Sequence, residues 1–157
     1  MISNDLSQFT EDKLRSIDVH ELLPQQEPFV MIGHLTYFDE VRTITETLIP
    51  ASNIFVEDGQ FSASGLIENV AQSCAARIVF VNKYLRNSGI QIGVIGAVKN
   101  LTIFSLPHVG QTIITTVDTV SEIFGMTLAK ATVTCGDEVL LTTEIKIGIR
   151  EEQPTGV

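Results

Sequence analysis

The sequence predicts an α+β fold in which one long central helix is wrapped by a curved, mainly antiparallel sheet. Three observations predict it. Only the stretch from Phe61 to Ser88 combines length, low charge and helical periodicity. Two strand-like runs precede it and four follow, each joined to its neighbour by a short turn sequence. No strand–helix alternation recurs, which excludes a doubly wound parallel sheet and leaves antiparallel pairing of sequence neighbours. The 157 residues fit one domain spanning 1–157, with enough chain to bury a sizeable core.

The elements follow in order. Residues 1–16 are polar and read as a loose arm or a frayed turn, expected to be flexible. Asp18 is placed to cap a short helix, VHELL, which Pro24 stops. Phe29 to Phe38 reads as a strand, and Asp39 and Glu40 mark a turn. Val41 to Ile49 alternates Val41, Thr43, Thr45 and Thr47 against Arg42, Ile44, Glu46 and Leu48, so these two runs make a hairpin. Pro50 ends the second strand, and PASNIFVEDGQ is a connecting loop.

The long helix then places Leu66, Ile67, Val70, Ala71, Cys74, Ala75, Ile78 and Val79 on a wide apolar face. Ser62 and Ser64 are candidate caps at its start, and Gly89 follows its end. At 1.5 Å per residue, a helix of about 25 residues is roughly 38 Å long, enough to cross a small domain. Four strand-like runs, 90–104, 111–124, 126–135 and 138–149, complete the sheet. They are joined at SLPHVG, at Gly125 and at the Gly136-Asp137-Glu138 turn. The tail 151–157 is polar and expected to be flexible.

Composition narrows the function. A formal charge of −9 argues against nucleic acid or an anionic membrane as the main partner, because phosphate recognition needs clustered Lys and Arg. The N-terminus lacks the apolar core of a signal peptide, and no run is apolar enough to span a bilayer, so a cytoplasmic location is expected. Cys74 and Cys135 sit in no CxxC or Cys/His cluster. They read as reduced thiols in or near the core, with no metal site. GxSxG, P-loop, GxGxxG and HExxH are all absent, and the two glycines of IGVIGAVKN open no helix, so no cofactor is expected.

The chemical candidates are few. Glu68 lies in the first turns of the long helix, where the helix dipole stabilises a carboxylate by about 0.3–1 kcal/mol. Gln72, four residues on, is spaced to hydrogen-bond it and fix its orientation. A purely structural reading stands beside this one, since helix starts favour acidic residues and Gly65-x-x-Glu68 resembles a degenerate capping box. His20, His34 and His108 are the three possible general bases. They fall in the short helix, the first strand and an inter-strand loop respectively.

These residues resemble a family. LLPQQEPFVMIGHLTYFDEVRTITETLIP, with Leu23, Pro24, Pro28 and Phe29, is similar to the N-terminal signature of the β-hydroxyacyl-acyl-carrier-protein dehydratases. GLIENVAQ, with Glu68, Ala71 and Gln72, resembles the start of their central helix. LTIFSLPHVGQTI, with Pro107 and Gly110, resembles their later strand corner. The match covers roughly residues 18–150 and implies the hot-dog fold. It also implies a homodimer joined sheet edge to sheet edge, with active sites at the interface. There a narrow tunnel takes an acyl chain carried on a phosphopantetheine arm, from acyl carrier protein or as a CoA thioester.

By the same resemblance Glu68 and Gln72 are the catalytic pair, and Ile54, Phe55 and Gly65 line the substrate. The family's histidine, carried in a Gly-His-Phe-Pro motif before the helix, is missing. The corresponding loop, ASNIFVEDGQFSASG, holds no histidine, and the position falls near Ile54. Three readings follow: a dehydratase-like enzyme of fatty-acid or polyketide-type synthesis, a hot-dog thioesterase using Glu68 with the Gly65 amide, and a non-catalytic acyl-thioester-binding subunit or inactive half of a heterodimer. An acidic carrier would need a local basic patch, for which Arg77, Lys83, Arg86 and Lys99 are the candidates.

Overall fold

Ser62 starts the long helix. In the computed structural model, which describes residues 5–86 and 91–151, its backbone is extended and its Oγ accepts a hydrogen bond from the Gly65 N–H at 3.3 Å. The helix, α2, runs Ala63–Phe80, about 27 Å at 1.5 Å per residue, and continues as a π-helical stretch over Val81–Arg86. Around it lie α1 (Glu11–Arg15) and eight strands. These are β1 (His34–Phe38), β2 (Arg42–Leu48), β3 (Val56–Glu57), β4 (Gln60–Phe61), β5 (Gln91–Ile103), β6 (Thr112–Ile123), β7 (Met126–Cys135) and β8 (Glu138–Glu151). Six of them form one sheet in the order β1-β2-β6-β7-β8-β5, with every pair antiparallel. The expected helix wrapped by an antiparallel sheet is the architecture found.

Turn chemistry sets the hairpins. Phe124 and Gly125 both have positive φ, 50° and 75°, as the tight β6–β7 connection requires. Gly136, at φ 57°, opens the two-residue link between β7 and β8. Asp58 and Gly59 repeat the first pattern at φ 51° and 77°. The segment read as a connecting loop therefore contains a small hairpin, β3–β4. The Asp-Gly pair was its signal.

The helix is buried on three sides, two of them apolar and one polar. Leu66, Val70 and Cys74 pack on Ile113, Val117, Ala131, Val133, Leu141 and Ile145 of the sheet. Ala76 and Phe80 face a second apolar cluster of Leu14, Leu22, Ile32, Leu35 and Phe38. Here Phe80 meets the rings of Phe9, Phe38 and Tyr84 at centroid distances of 5.1, 4.7 and 5.1 Å. Of the two readings of residues 1–16, a loose arm or a frayed turn, the described part takes the turn. Over its described part the arm forms a capped helical turn, Glu11–Arg15, because Leu14 is driven into the core, at 1% exposure. Residues 152–157, and the expected stop at Gly89, lie outside the described residues.

The third side is polar. On β2 it is the threonine row, Thr43, Thr45 and Thr47, that is buried, while Leu48 on the other face is 59% exposed. Asn69, Ser73 and Arg77, at four-residue steps along α2, meet that row. Asn69 Nδ2 donates to Thr47 Oγ1 at 3.2 Å, Ser73 and Thr45 share a hydrogen bond at 2.7 Å, and Arg77 Nη1 donates to Thr43 Oγ1 at 2.7 Å. The spacings match: four helical residues advance about 6.0 Å and two strand residues about 6.8 Å. Asn69 Oδ1 also accepts from Thr115 Oγ1 at 2.5 Å.

Ser73 donates its own hydroxyl to the Asn69 carbonyl at 2.8 Å, so it accepts from Thr45. Ser73→Ala leaves a buried Thr45 hydroxyl without its partner, and we expect a loss of about 1–3 kcal/mol in urea unfolding. Adding Thr45→Val removes the orphaned group, so the double variant should be less destabilised than the sum of the single variants; strict additivity would contradict the pairing.

Candidate active site

The start of α2 is packed from above by the β3–β4 hairpin. Phe61 N–H donates to the Pro107 carbonyl at 2.8 Å, Ser62 N–H to the Phe55 carbonyl at 2.9 Å, and Val109 N–H to the Gly59 carbonyl at 2.9 Å. Gly65 allows this approach. A Cβ there would lie 2.5 and 2.6 Å from Phe61 ring atoms and 2.8 Å from the Phe55 Cβ. The hairpin and the helix start enclose an open cleft of about 660 Å³, whose walls include Ile54, Phe55, Glu57, Asp58, Ser64 and Leu106. Ile54 and Phe55 thus line a cleft at the helix N-terminus. Gly65 supports it by packing, and its amide is already engaged by Ser62.

Glu68 follows one turn after Ser64 on the same helix face, about 6 Å further along. It is half-buried. Gln72 Nε2 donates to its Oε1 at 2.9 Å and to the Phe29 carbonyl at 2.7 Å, while Gln72 Oε1 accepts from the Met31 N–H at 2.7 Å. Asn69 Nδ2 donates to the Met31 carbonyl at 2.7 Å. These side-chain bonds explain one departure from the sequence reading. Phe29 to Phe38 was expected to be strand throughout, but the ladder begins at His34. The backbone of Phe29 and Met31 is instead held by helix side chains.

No histidine meets Glu68 within the protomer, among the described residues. The exposed His20 is bracketed by Asp18 at 2.5 Å and Glu27 at 2.9 Å, which together raise its pKa. His34 is exposed opposite Glu46. His108 is exposed beside the small hairpin, bridged through its backbone to Gln60. A carboxylate oriented by an amide can donate or accept one proton; a second proton-transfer group must come from elsewhere.

The proposed docking cations separate clearly. Arg77 is 8% exposed and cannot meet a partner at the surface. Burial lowers its pKa, offset by Glu122 and Asp39, and its guanidinium caps the β1–β2 turn through the Asp39 and Glu40 carbonyls at 3.0 and 2.6 Å. Lys83 pairs with Glu21 at 3.0 Å. Arg86 lines a second cavity, about 330 Å³, together with Cys74, Arg77, Ile78, Ala129 and Ile147. Lys99 is exposed and lies beside Lys146, whose pKa it lowers. The sequence reading missed Asn69, Ser73 and Arg77 as buried polar residues. Their four-residue spacing opposite a threonine-alternating strand was the available signal.

A long helix wrapped by a curved antiparallel sheet defines a hot-dog protein. The chain belongs to the ApeP-like family, described as ApeP dehydratase, whose model matches residues 17–153. Among solved structures it is similar to the dehydratase heterocomplex ApeI:P from Xenorhabdus doucetiae, with 15% identity, 90% of this chain and 95% of that chain covered, and a TM-score of 0.80. It is also similar to a hypothetical thioesterase with coenzyme A from Streptococcus pneumoniae TIGR4 (9% identity, 76% and 86% covered, TM-score 0.60). The PaaI protein of the E. coli phenylacetic acid degradation operon is a further likeness (10% identity, 73% and 80% covered, TM-score 0.58). No curated protein matches by sequence. No helix among the described residues is long and apolar enough to cross a membrane.

Both cysteines are free, and burial pushes the Cys74 thiol up to about 12. At pH 8 roughly one Cys74 in 10⁴ is then a thiolate. Iodoacetamide should modify the partly exposed Cys135 in the native protein and leave Cys74 unmodified until the chain is unfolded, as read by peptide mass.

Proposed function

We propose that this chain acts in the dehydration of 3-hydroxyacyl thioesters in fatty-acid or polyketide-type synthesis, with Glu68 as the acid that protonates the departing hydroxyl. A base takes the α-proton, the Cα–H electron pair forms the new C=C bond, and the C–O bond breaks as Glu68 delivers its proton to give water. The proton held by the base then restores Glu68. The observation that carries the reading is the Glu68–Gln72 pair, in which the amide that orients the carboxylate is itself fixed to the backbone at both ends. Ile54 and Phe55 would line the acyl or pantetheine path, and Gly65 would seat the hairpin above it.

The base comes, on this reading, from a partner chain at a dimer interface. Two features support an assembly through β5. Among the described residues that strand is bonded only to β8, and it carries exposed Val94, Ile95, Val98 and Leu101. A partner identical to this chain would bring only the same three histidines. A different, histidine-bearing hot-dog partner completes the site more simply, and the similar ApeI:P structure, a dehydratase heterocomplex, is consistent with it. The substrate would be presented by acyl carrier protein in the cytoplasm. The second reading, a non-catalytic subunit, is favoured by the absence of any imidazole at Glu68. The thioesterase reading loses its proposed oxyanion donor, because Ser62 occupies the Gly65 amide.

The test measures enoyl product and free acid from one 3-hydroxyacyl thioester, using the native assembly. Glu68→Ala should cut enoyl formation by about 10²–10⁴-fold, and Gln72→Ala should cut it less while lowering stability. Unchanged enoyl formation in Glu68→Ala would leave this chain as the non-catalytic partner. Release of free acid that Glu68→Ala abolishes would favour hydrolysis.

A further inference from the structure

We infer that His20 is a pH-operated latch that holds the loop of residues 24–28 and, through it, the Phe29–Met31 segment that seats Gln72. Its two ring nitrogens meet carboxylates from two parts of the chain. Nδ1 lies 2.5 Å from Asp18 Oδ1, and Nε2 lies 2.9 Å from Glu27 Oε1. An imidazole donates from both nitrogens only when it is protonated; the neutral ring has one N–H and one lone pair. Both contacts are therefore made at once by the charged ring alone.

The two carboxylates are not equivalent. Asp18 caps the short helical turn Val19–Glu21 by accepting from the His20 backbone N–H at 3.0 Å, and that bond and the one from the ring hold its carboxyl below the usual range. Asp18 thus stays ionised and close to Nδ1. When the ring loses a proton, the remaining N–H stays with Asp18, and the Nε2 lone pair is left facing the Glu27 carboxylate. Deprotonation breaks the contact that reaches seven residues along the chain and spares the local one. No Lys or Arg pairs with Asp18 or Glu27 among the described residues, and Glu21, on the same turn as His20, is held by Lys83 at 3.0 Å.

Glu27 stands two residues before Phe29. The Phe29 N–H donates to the Gln26 carbonyl at 2.8 Å, the Phe29 carbonyl accepts from Gln72 Nε2 at 2.7 Å, and the Met31 N–H donates to Gln72 Oε1 at 2.7 Å. On the other side of the loop Leu22 and Leu23 are buried. The loop is anchored at both ends and latched in its middle. The contacts with Asp18 and then Glu27 raise the His20 pKa. The latch is therefore complete below the ordinary histidine value, about 6.5, and is lost as pH rises through the raised one. Joined to the reading of Glu68 as the acid, this puts a pH-sensitive support beneath the amide that orients it.

The experiment measures amide hydrogen exchange rather than turnover, on the full chain, read at the Met31 N–H and corrected for the intrinsic pH dependence of exchange. Between pH 6 and pH 9 the corrected rate should rise about two- to fivefold, the size of effect an exposed ion pair supports. His20→Gln has no ring to titrate and should flatten the profile. Glu27→Gln offers an acceptor to a ring N–H or a donor to a ring lone pair, so it should flatten the profile while keeping exchange slow. A corrected rate that stays level in the native protein, or a pH dependence that survives in His20→Gln, would overturn the inference. Either result leaves the reading of Glu68 standing, because no step of catalysis is measured.

Discussion

A row of threonines on one strand meeting a row of polar side chains on one helix is the contact on which the rest of this molecule depends. Asn69, Ser73 and Arg77 descend α2 at a pitch close to that of Thr47, Thr45 and Thr43 along β2. Apolar packing alone would let the helix slide or rotate over the sheet at modest cost, because hydrophobic contact has no direction. Hydrogen bonds at three consecutive rungs do not, since a shift by one rung would leave several buried polar groups without partners. The stripe therefore sets where along the sheet the helix begins. That in turn sets where Glu68 stands relative to the cleft.

Each end of the stripe reaches a different part of the chain. At one end Asn69 reaches the Met31 carbonyl and helps hold the extended segment that Gln72 also grips. At the other, Arg77 gathers the Asp39 and Glu40 carbonyls and lies over the Phe38 ring, with 4.7 Å between the guanidinium carbon and the ring centroid. A charge this deeply placed is tolerated because its bonds go to backbone carbonyls and a hydroxyl, and because Glu122, Asp39 and Asp118 act on it through space. One helix face thus aligns the sheet, seats the extended segment before β1 and closes the first hairpin.

The architecture was legible in the sequence because its elements carry period. α2 showed apolar residues at helical steps, and the four strands after it showed alternation with glycine at the turns, so order and pairing followed. What was not legible depends on contacts distant in sequence. Phe29 to Met31 lies outside the ladder because its partners are side chains on a helix some forty residues later. Thr43, Thr45 and Thr47 read as one face of a strand, but nothing local said which face would be buried. Leu14 lies in a mostly polar arm, and its place in the core is made by Phe80 and its neighbours, far along the chain. At the site, the four-residue spacing of Glu68 and Gln72 was enough to pair them. The source of the second proton-transfer group was not legible, since a group supplied by a partner, as proposed, would leave no trace in this chain.

The bonding of Gln72 separates two histories that relatives of this chain can have. Its amide oxygen and both bonds from its nitrogen are committed, and two of those three partners are backbone groups of the extended Phe29–Met31 segment. Glu68, by contrast, accepts from that amide and has no further side-chain hydrogen bond among the described residues. A lineage that stops needing the acid can lose it at little structural expense, whereas losing the amide unseats that segment. A glutamine at this helix position in a relative therefore reports that the scaffold is intact. Only the residue one turn before it reports whether the scaffold still carries an acid.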